Sequence, residues 1–163
     1  MNTAIKDRKK TPVKSDLASW ESLGECTNKI AISINLIFQS IEGKLIPINN
    51  ESLRDSALAA FKGLYKIAYD LNKEIDKNIK LIKDNKKPDI EMPQPKLPDP
   101  DRLVIHPKLN SVNEAMINSF WLATEELLGG IAEHMPDSPM KDLIATLMKD
   151  GSSFIDTFLK DKK

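Results

Sequence analysis

Apolar residues recur at steps of three and four along two long stretches of the chain, and this spacing predicts two long helices. The first covers residues 15–42, where Ser15 or Asp16 is suited to cap the helix start and Gly43 to end it. Its apolar positions are Trp20, Leu23, Ile30, Ile34, Ile37 and Ile41. A repeat near 3.5 residues places such positions along one side of a helix.

Part of this first stretch also fits a strand. Residues 30–38 alternate between apolar and small or polar side chains and are rich in isoleucine, which favours a strand when the segment is taken alone. The helical repeat continues on both sides of the segment, however, and a strand would interrupt it. We therefore predict one continuous helix.

The second helix is predicted over residues 52–83 and would be about 48 Å long. Its apolar positions are Ala57, Ala60, Leu64, Ile67, Leu71, Ile75, Ile79 and Ile82. Phe61, Tyr65 and Tyr69 form an additional ladder with a step of four residues. Each step turns the ladder by about 40° away from the apolar side, so the tyrosines are expected at the rim of the core. Such a ladder is more typical of a core edge than of a ligand platform.

A proline-rich tract at residues 88–100 separates the two halves of the chain. Proline fixes φ, lacks an N–H and disfavours helix in the preceding residue, so the tract is predicted to be extended. Its apolar residues, together with Leu103, Val104 and Ile105, indicate that it lies against the helices. About 22 residues of such chain could reach roughly 65 Å, enough to return along the second helix. The third helix would then run parallel to the second; an antiparallel third helix after a loose excursion is the alternative.

Two more helices are predicted after the tract. The third covers about residues 111–128 or beyond, and the fourth begins with Ser138 as cap and Pro139 as its first residue. Gly151 is expected to break the fourth helix into two pieces. Gly129 and Gly130 pose the same question for the third helix, where a kink or a close helix crossing is expected and a hinge is the alternative. The apolar face of the fourth helix comprises Leu143, Ile144, Leu147, Met148, Phe154, Ile155, Phe158 and Leu159.

These elements predict an all-α four-helix bundle, made of two helical hairpins joined by a long proline-rich extended connection. A chain of 163 residues suits a single domain. We expect a disordered basic arm over residues 1–14 and one helical domain over residues 15–163, with the extended connection at residues 86–110.

The third helix carries a second apolar stripe formed by Ile117, Trp121 and Leu128. One interpretation is that the proline-rich tract or another helix packs over Trp121. The other is a subunit or partner interface centred on this tryptophan. Ile32 and Leu36, which lie off the apolar side of the first helix, would belong to the same surface. On the second interpretation, these five residues are the predicted partner-binding site.

The charge balance and the few reactive residues disfavour nucleic-acid binding, metal binding and catalysis. The chain has 24 basic and 24 acidic residues and only three arginines, which disfavours specific nucleic-acid binding. Cys26 is the single cysteine and is expected to be a small, partly buried helix residue. His106 and His134 lack metal-ligand spacing, and phosphate-binding or nucleophile motifs are absent. We therefore predict no catalytic, cofactor-binding or metal-binding residues.

The hypothesis from sequence is a non-enzymatic cytoplasmic protein that acts by protein–protein contact, as an adaptor, chaperone, immunity protein or inhibitor, with self-association included. The alternative is a lipid-granule or membrane-surface protein that uses its amphipathic helices. No stretch approaches the ~20 apolar residues of a transmembrane helix, and no leader segment is recognisable.

Overall fold

The computed structural model describes residues 13–90, 97–105 and 112–161, and within these ranges it contains helices and no strands. The four helices are α1 (Val13–Glu42), α2 (Glu51–Lys83), α3 (Glu114–Glu133) and α4 (Pro139–Asp161). A single 3₁₀ turn covers Pro100–Leu103. The all-α bundle predicted from the sequence is therefore confirmed, and residues 30–38 are helical. The predicted basic arm lies outside the described residues except for its last two positions, which belong to α1.

α1 ends at Glu42 as predicted, but its start and the residue in the left-handed conformation after it differ from the prediction. The helix begins at Val13, so Ser15 and Asp16 lie inside it and neither is the cap. At the other end, the left-handed position belongs to Lys44, with φ of 62°, rather than to Gly43. The chain turns back there because Ile46 is buried, and its N–H donates to the carbonyl oxygen of residue 40 at 3.0 Å.

Asparagine side chains begin α2 and α3. Asn50 accepts a hydrogen bond from the Leu53 N–H at 3.1 Å, and Asn113 accepts one from the Met116 N–H at 3.1 Å. Each satisfies one of the backbone donors that a helix start leaves unpaired. The predicted starts at residues 52 and 111 are therefore displaced by one and three residues.

The start of α4 is as predicted. Ser138 Oγ accepts from the Lys141 N–H at 3.2 Å, and Pro139 is the first helical residue. The glycines at positions 129, 130 and 151 do not break α3 or α4, which both continue through them. A close crossing, described below, explains the glycine at 151.

Contacts along α2 show that both of its helical neighbours run antiparallel to it. The start of α2 meets the end of α1, where the Arg54 guanidinium donates to the Glu42 carbonyl at 3.1 Å. On the α4 side, the rings of Phe61 and Phe154 meet edge to face at 5.2 Å. Further along, residues 70–74 of α2 line a groove with the first residues of α4.

α3 runs parallel to α2. The indole N–H of Trp121 donates to Ser152 Oγ at 3.1 Å, and a methyl group at Gly129 would lie 3.2 Å from Met148. Later residues of α3 therefore contact earlier residues of α4, so these two helices are antiparallel. Because α4 is also antiparallel to α2, the parallel arrangement predicted for α2 and α3 is confirmed.

The helices surround one core, and residues 97–105 cover its fourth side. The 3₁₀ turn at Pro100–Leu103 lies within the connection predicted to be extended, so that prediction is wrong for these four residues. α2 contacts α1 and α4, and α3 contacts α4. The 3₁₀ turn contacts both α1 and α3, so residues 97–105, which we call the strap, lie between these two helices. The largest fully buried side chains of the core are Trp20, Leu23, Ile30, Ile34, Ile37, Ile41, Ile46, Phe61, Leu71, Ile75 and Phe120.

Ser33 of α1 holds the strap by two hydrogen bonds. Its hydroxyl donates to the Leu103 carbonyl and accepts from the Ile105 N–H, both at 3.1 Å. Leu103 and Ile105 are buried, whereas Val104 between them is exposed, which is the alternation of an extended chain. The strap therefore contributes two side chains to the core while Ser33 satisfies its buried backbone groups.

The beginning of the connection is also fixed. The backbone N–H of Asp89 donates to Asn78 Oδ1 at 2.8 Å, and the Asp89 carboxylate lies 3.1 Å from the Lys77 ammonium. The described parts of the connection thus lie against the helices, as predicted. Residues 91–96 and 106–111 of the predicted extended connection lie outside the described residues.

We expect Ser33→Ala to lower the free energy of unfolding by about 1–3 kcal/mol, because it leaves a buried carbonyl and a buried N–H without a partner. Urea unfolding measures this cost, and hydrogen exchange should be faster at the Ile105 amide. Ser40→Ala is the matched control: Ser40 is equally buried, but its hydroxyl returns to the Leu36 carbonyl of its own helix at 2.7 Å. Equal costs for the two variants would contradict a specific role of Ser33 in holding the strap.

Candidate functional site

The surface predicted around Trp121 is not exposed in this structure. Trp121 is 3% exposed, and Ile117 and Leu128 are fully buried. This side of α3 faces α4, because the Trp121 indole contacts Gly151 and Ser152. The expectation of an open partner surface at these three residues is therefore wrong, and the interpretation in which another helix packs over Trp121 is confirmed.

Gly151 makes room for the Trp121 ring. A β-carbon at this position would lie 2.0 and 2.1 Å from two ring carbons of Trp121, closer than any non-bonded contact allows. The tryptophan ring thus lies directly on the backbone of α4. Beside it, Ser152 Oγ accepts from the indole N–H and donates to a carboxylate oxygen of Glu125. The Trp121 indole is held by its close contact with the Gly151 backbone and by the hydrogen bonds through Ser152 to Glu125.

Ile32 and Leu36 do not join Trp121 in one surface. Ile32 is 56% exposed on the outside of α1, whereas Leu36 is partly buried and packs against the core. Trp121 instead faces α4. Of the five residues predicted for partner binding, only Ile32 is clearly open to solvent.

Gly151→Ala is expected to destabilise the fold by about 1–3 kcal/mol, since the added methyl group overlaps the Trp121 ring. Gly130→Ala is the matched control, because a β-carbon at Gly130 meets nothing within 4 Å and the change favours helix by about 0.5–1 kcal/mol. Chemical unfolding of both variants measures the two effects. Similar stability changes of the same sign would show that the indole does not lie on Gly151.

A different surface is formed by aromatic residues on the outside of α2. Tyr65 is 38% exposed and Tyr69 48%, whereas Phe61, one step earlier in the ladder, is fully buried. This gradient confirms the predicted position of the tyrosines at the rim. Their rings stack with centroids 6.4 Å apart and an interplanar angle of 23°. The Lys73 ammonium lies 4.8 Å from the Tyr69 ring centroid, within the range of a cation–π contact.

A shallow depression of about 540 Å³ adjoins these rings. Its floor contains Gly63, where an added β-carbon would meet nothing within 4 Å. The lining residues are Ala59, Lys62, Gly63, Tyr65, Lys66 and Tyr69. We call this set together with Lys73 the tyrosine–lysine surface. It offers aromatic faces, an open backbone and lysine ammonium groups on one helix.

The tyrosine–lysine surface has a local positive charge. Residues 56–69 contain Lys62 and Lys66 and no acidic residue, although the chain as a whole has equal numbers of basic and acidic side chains. Asp70 and Glu74, the next acidic residues of α2, line the groove between α2 and α4 together with Lys73, so one carboxylate, Asp70, lies within the span of the surface. The surface is therefore locally cationic on a protein without net charge.

Sequence reasoning located these tyrosines but did not identify them as a binding site. The lysines from Lys73 onward alternate with acidic residues, which is typical of a solvated, charge-paired face, but Lys62 and Lys66 precede that run. The acid-free interval at residues 56–69 is the signal in the sequence that distinguishes this part of α2 from the rest. Whether this interval forms a binding surface depends on which of its side chains are exposed, and the packing of the bundle decides that.

Histidine, cysteine and acidic side chains are the ligands that a metal site requires. Within those residues, no cluster of three or more histidine, cysteine, aspartate or glutamate side chains could hold a metal ion. His134 is exposed at the end of α3. His106 lies outside the described residues.

Cys26 is 8% exposed, in agreement with the interpretation of a buried helix residue. Burial raises the pKa of the Cys26 thiol above its ordinary value; the charge of Lys29 opposes this shift and the charge of Glu25 adds to it. The folded state therefore favours the neutral thiol, which is the less reactive form.

Above the ordinary thiol pKa of about 8.5, the unfolded chain ionises at Cys26 before the folded protein does. The neutral Cys26 thiol therefore contributes fully to the folding free energy below that pH. This contribution is lost as the pH rises through the higher thiol pKa of the folded protein. We therefore expect the unfolding free energy of the wild type to fall relative to that of Cys26→Ala between about pH 8 and 10. Parallel urea titrations measure the difference. A constant difference would show that the thiol pKa is not raised by folding.

Comparison of the chain with protein-family models, with curated proteins and with solved structures finds no match. Among the residues that the structure describes, no helix combines the length and apolar character needed to cross a membrane. A function must therefore be inferred from the surfaces of the bundle.

Proposed function

We propose that this protein acts by binding another protein through the tyrosine–lysine surface of α2. The observation that carries the proposal is the exposed, stacked pair of Tyr65 and Tyr69 beside an open depression. The tryptophans and phenylalanines whose side chains are described are all buried or partly buried. Tyrosine is enriched at protein interfaces, where it provides large contact area at low cost in side-chain entropy.

The type of protein proposed from the sequence fits this surface: an adaptor, chaperone, immunity protein or inhibitor that works by contact rather than by chemistry. α2 has 33 residues and is supported along its inner side by α1 and α4. A partner would thus meet a preorganised helix face, which reduces the entropy lost on binding.

The alternative of a lipid-granule or membrane-surface protein has less support. The apolar faces of α1, α2 and α4 contribute to one common core, so they would reach a lipid surface only if the bundle opened. The exposed rings of α2 carry hydroxyl groups, and no leucine or tryptophan lines the depression.

Site-specific photo-crosslinking in the native cells tests the proposed function. A photoreactive phenylalanine derivative replaces Tyr69 in one variant and Lys149, an exposed residue of α4, in the control. We expect a discrete protein adduct from position 69 and none from position 149. An adduct with a second copy of this chain would identify self-association.

With the crosslinked protein in hand, Tyr65→Ala and Tyr69→Ala should each weaken binding by about tenfold or more, as expected for aromatic residues central to an interface. Both side chains are exposed and alanine favours helix, so circular dichroism should be unchanged. Absence of an adduct at position 69, or unchanged affinity in both alanine variants, would exclude this surface as the binding site.

A further inference from the structure

We propose that the tyrosine–lysine surface recognises an acidic segment of the partner protein, with carboxylates at Lys62 and Lys66 and a small apolar side chain in the depression over Gly63. This inference rests on the proposed function and specifies the chemistry of the partner. It follows from three features of α2: its local charge, the open glycine and the exposed rings.

Charge complementarity selects an acidic partner. Lys62 and Lys66 are one helical turn apart and both line the depression. Lys73 lies over the ring of Tyr69, which also lines the depression. Within the span of the surface these three lysines outnumber the single carboxylate, Asp70, which lies four residues after Lys66. An approaching carboxylate therefore meets a positive local potential, while a basic segment is repelled.

Gly63 allows a partner side chain to approach the backbone of α2 closely. Gly63 is in the middle of α2, where glycine costs up to about 1 kcal/mol of helix stability relative to alanine. The glycine does not relieve a clash within the bundle, because a β-carbon there would meet nothing within 4 Å. Gly63 also lines a groove between α2 and α4, and its absence of a side chain leaves open the depression that it lines beside Lys62 and Lys66. An apolar side chain of alanine or valine size suits this space.

Other polyanions fit less well. Tight binding of a nucleic acid depends on several phosphate contacts, whereas the surface offers three lysines and no arginine. Stable attachment to an anionic membrane needs a broad apolar face beneath a cationic one, and here the apolar side of α2 is inside the bundle. A protein segment with few carboxylates matches both the charge and the size of the depression.

A defined probe tests the inference on the full-length chain. The probe is a synthetic peptide of repeating Glu-Ala-Ala-Leu units, compared with its Lys-Ala-Ala-Leu counterpart, an oligothymidine and vesicles of phosphatidylcholine with phosphatidylglycerol. Amide chemical shifts of the labelled protein report the contact. We expect the glutamate peptide to shift residues 59–73 selectively and its affinity to fall as salt is raised.

Three variants identify the contacts. Lys62→Glu with Lys66→Glu should weaken binding of the glutamate peptide by at least about tenfold. Lys80→Glu with Lys149→Glu, an equal change of charge at exposed positions elsewhere, should leave it unchanged. Gly63→Leu should also abolish binding by filling the depression, and it should not unfold the protein because the position is open and leucine favours helix.

No selective shift by the glutamate peptide, an equal effect of both charge-reversal pairs, or full binding by Gly63→Leu would overturn the inference. Stronger shifts of the same residues by oligothymidine or vesicles would also overturn it, in favour of a nucleic acid or a lipid surface. The proposed function can survive such a result. A protein crosslinked at position 69 whose binding is insensitive to Lys62→Glu and Lys66→Glu would retain the protein interface and exclude an acidic partner.

Discussion

The architecture depends on the connection between α2 and α3, whose described residues are bound against the helices. Prolines prevent this part of the chain from continuing the helix. Asn78 and Ser33 fix it at two levels through its backbone groups. α3 runs parallel to α2, and the strap contacts both α1 and α3. The strap thereby becomes the fourth side of the core rather than a loop outside it.

This position of the strap explains the unusual patterning of α3. A helix at the corner of a bundle usually needs one apolar stripe, whereas α3 has the strap on one side and α4 on the other. The stripe with Trp121 is used against α4, where Gly151 lets the two helices approach closely. A strongly apolar second stripe therefore reflects internal packing here. Exposure, rather than apolar patterning, distinguishes a binding surface from a core surface.

The tyrosine–lysine surface follows from the regular geometry of α2. The ladder step of four residues carries successive rings out of the core, so Phe61 packs against Phe154 while Tyr65 and Tyr69 reach solvent. The open backbone at Gly63 and the acid-free interval around it then give the exposed rings a cationic setting. Because α1 and α4 hold the inner side of α2, this surface is presented on a rigid element.

Local periodicity and backbone restrictions were enough to predict the four helices, their approximate limits and the start of α4 at Pro139. The sequence also placed the tyrosines at the rim. It could not assign Trp121, since an apolar stripe has the same pattern whether a partner or another helix of the same chain covers it. The tertiary structure decided that question through the contact of the indole with Gly151, which joins residues 30 positions apart in the chain. It also decided which residue after α1 takes the left-handed conformation, which is Lys44 rather than Gly43.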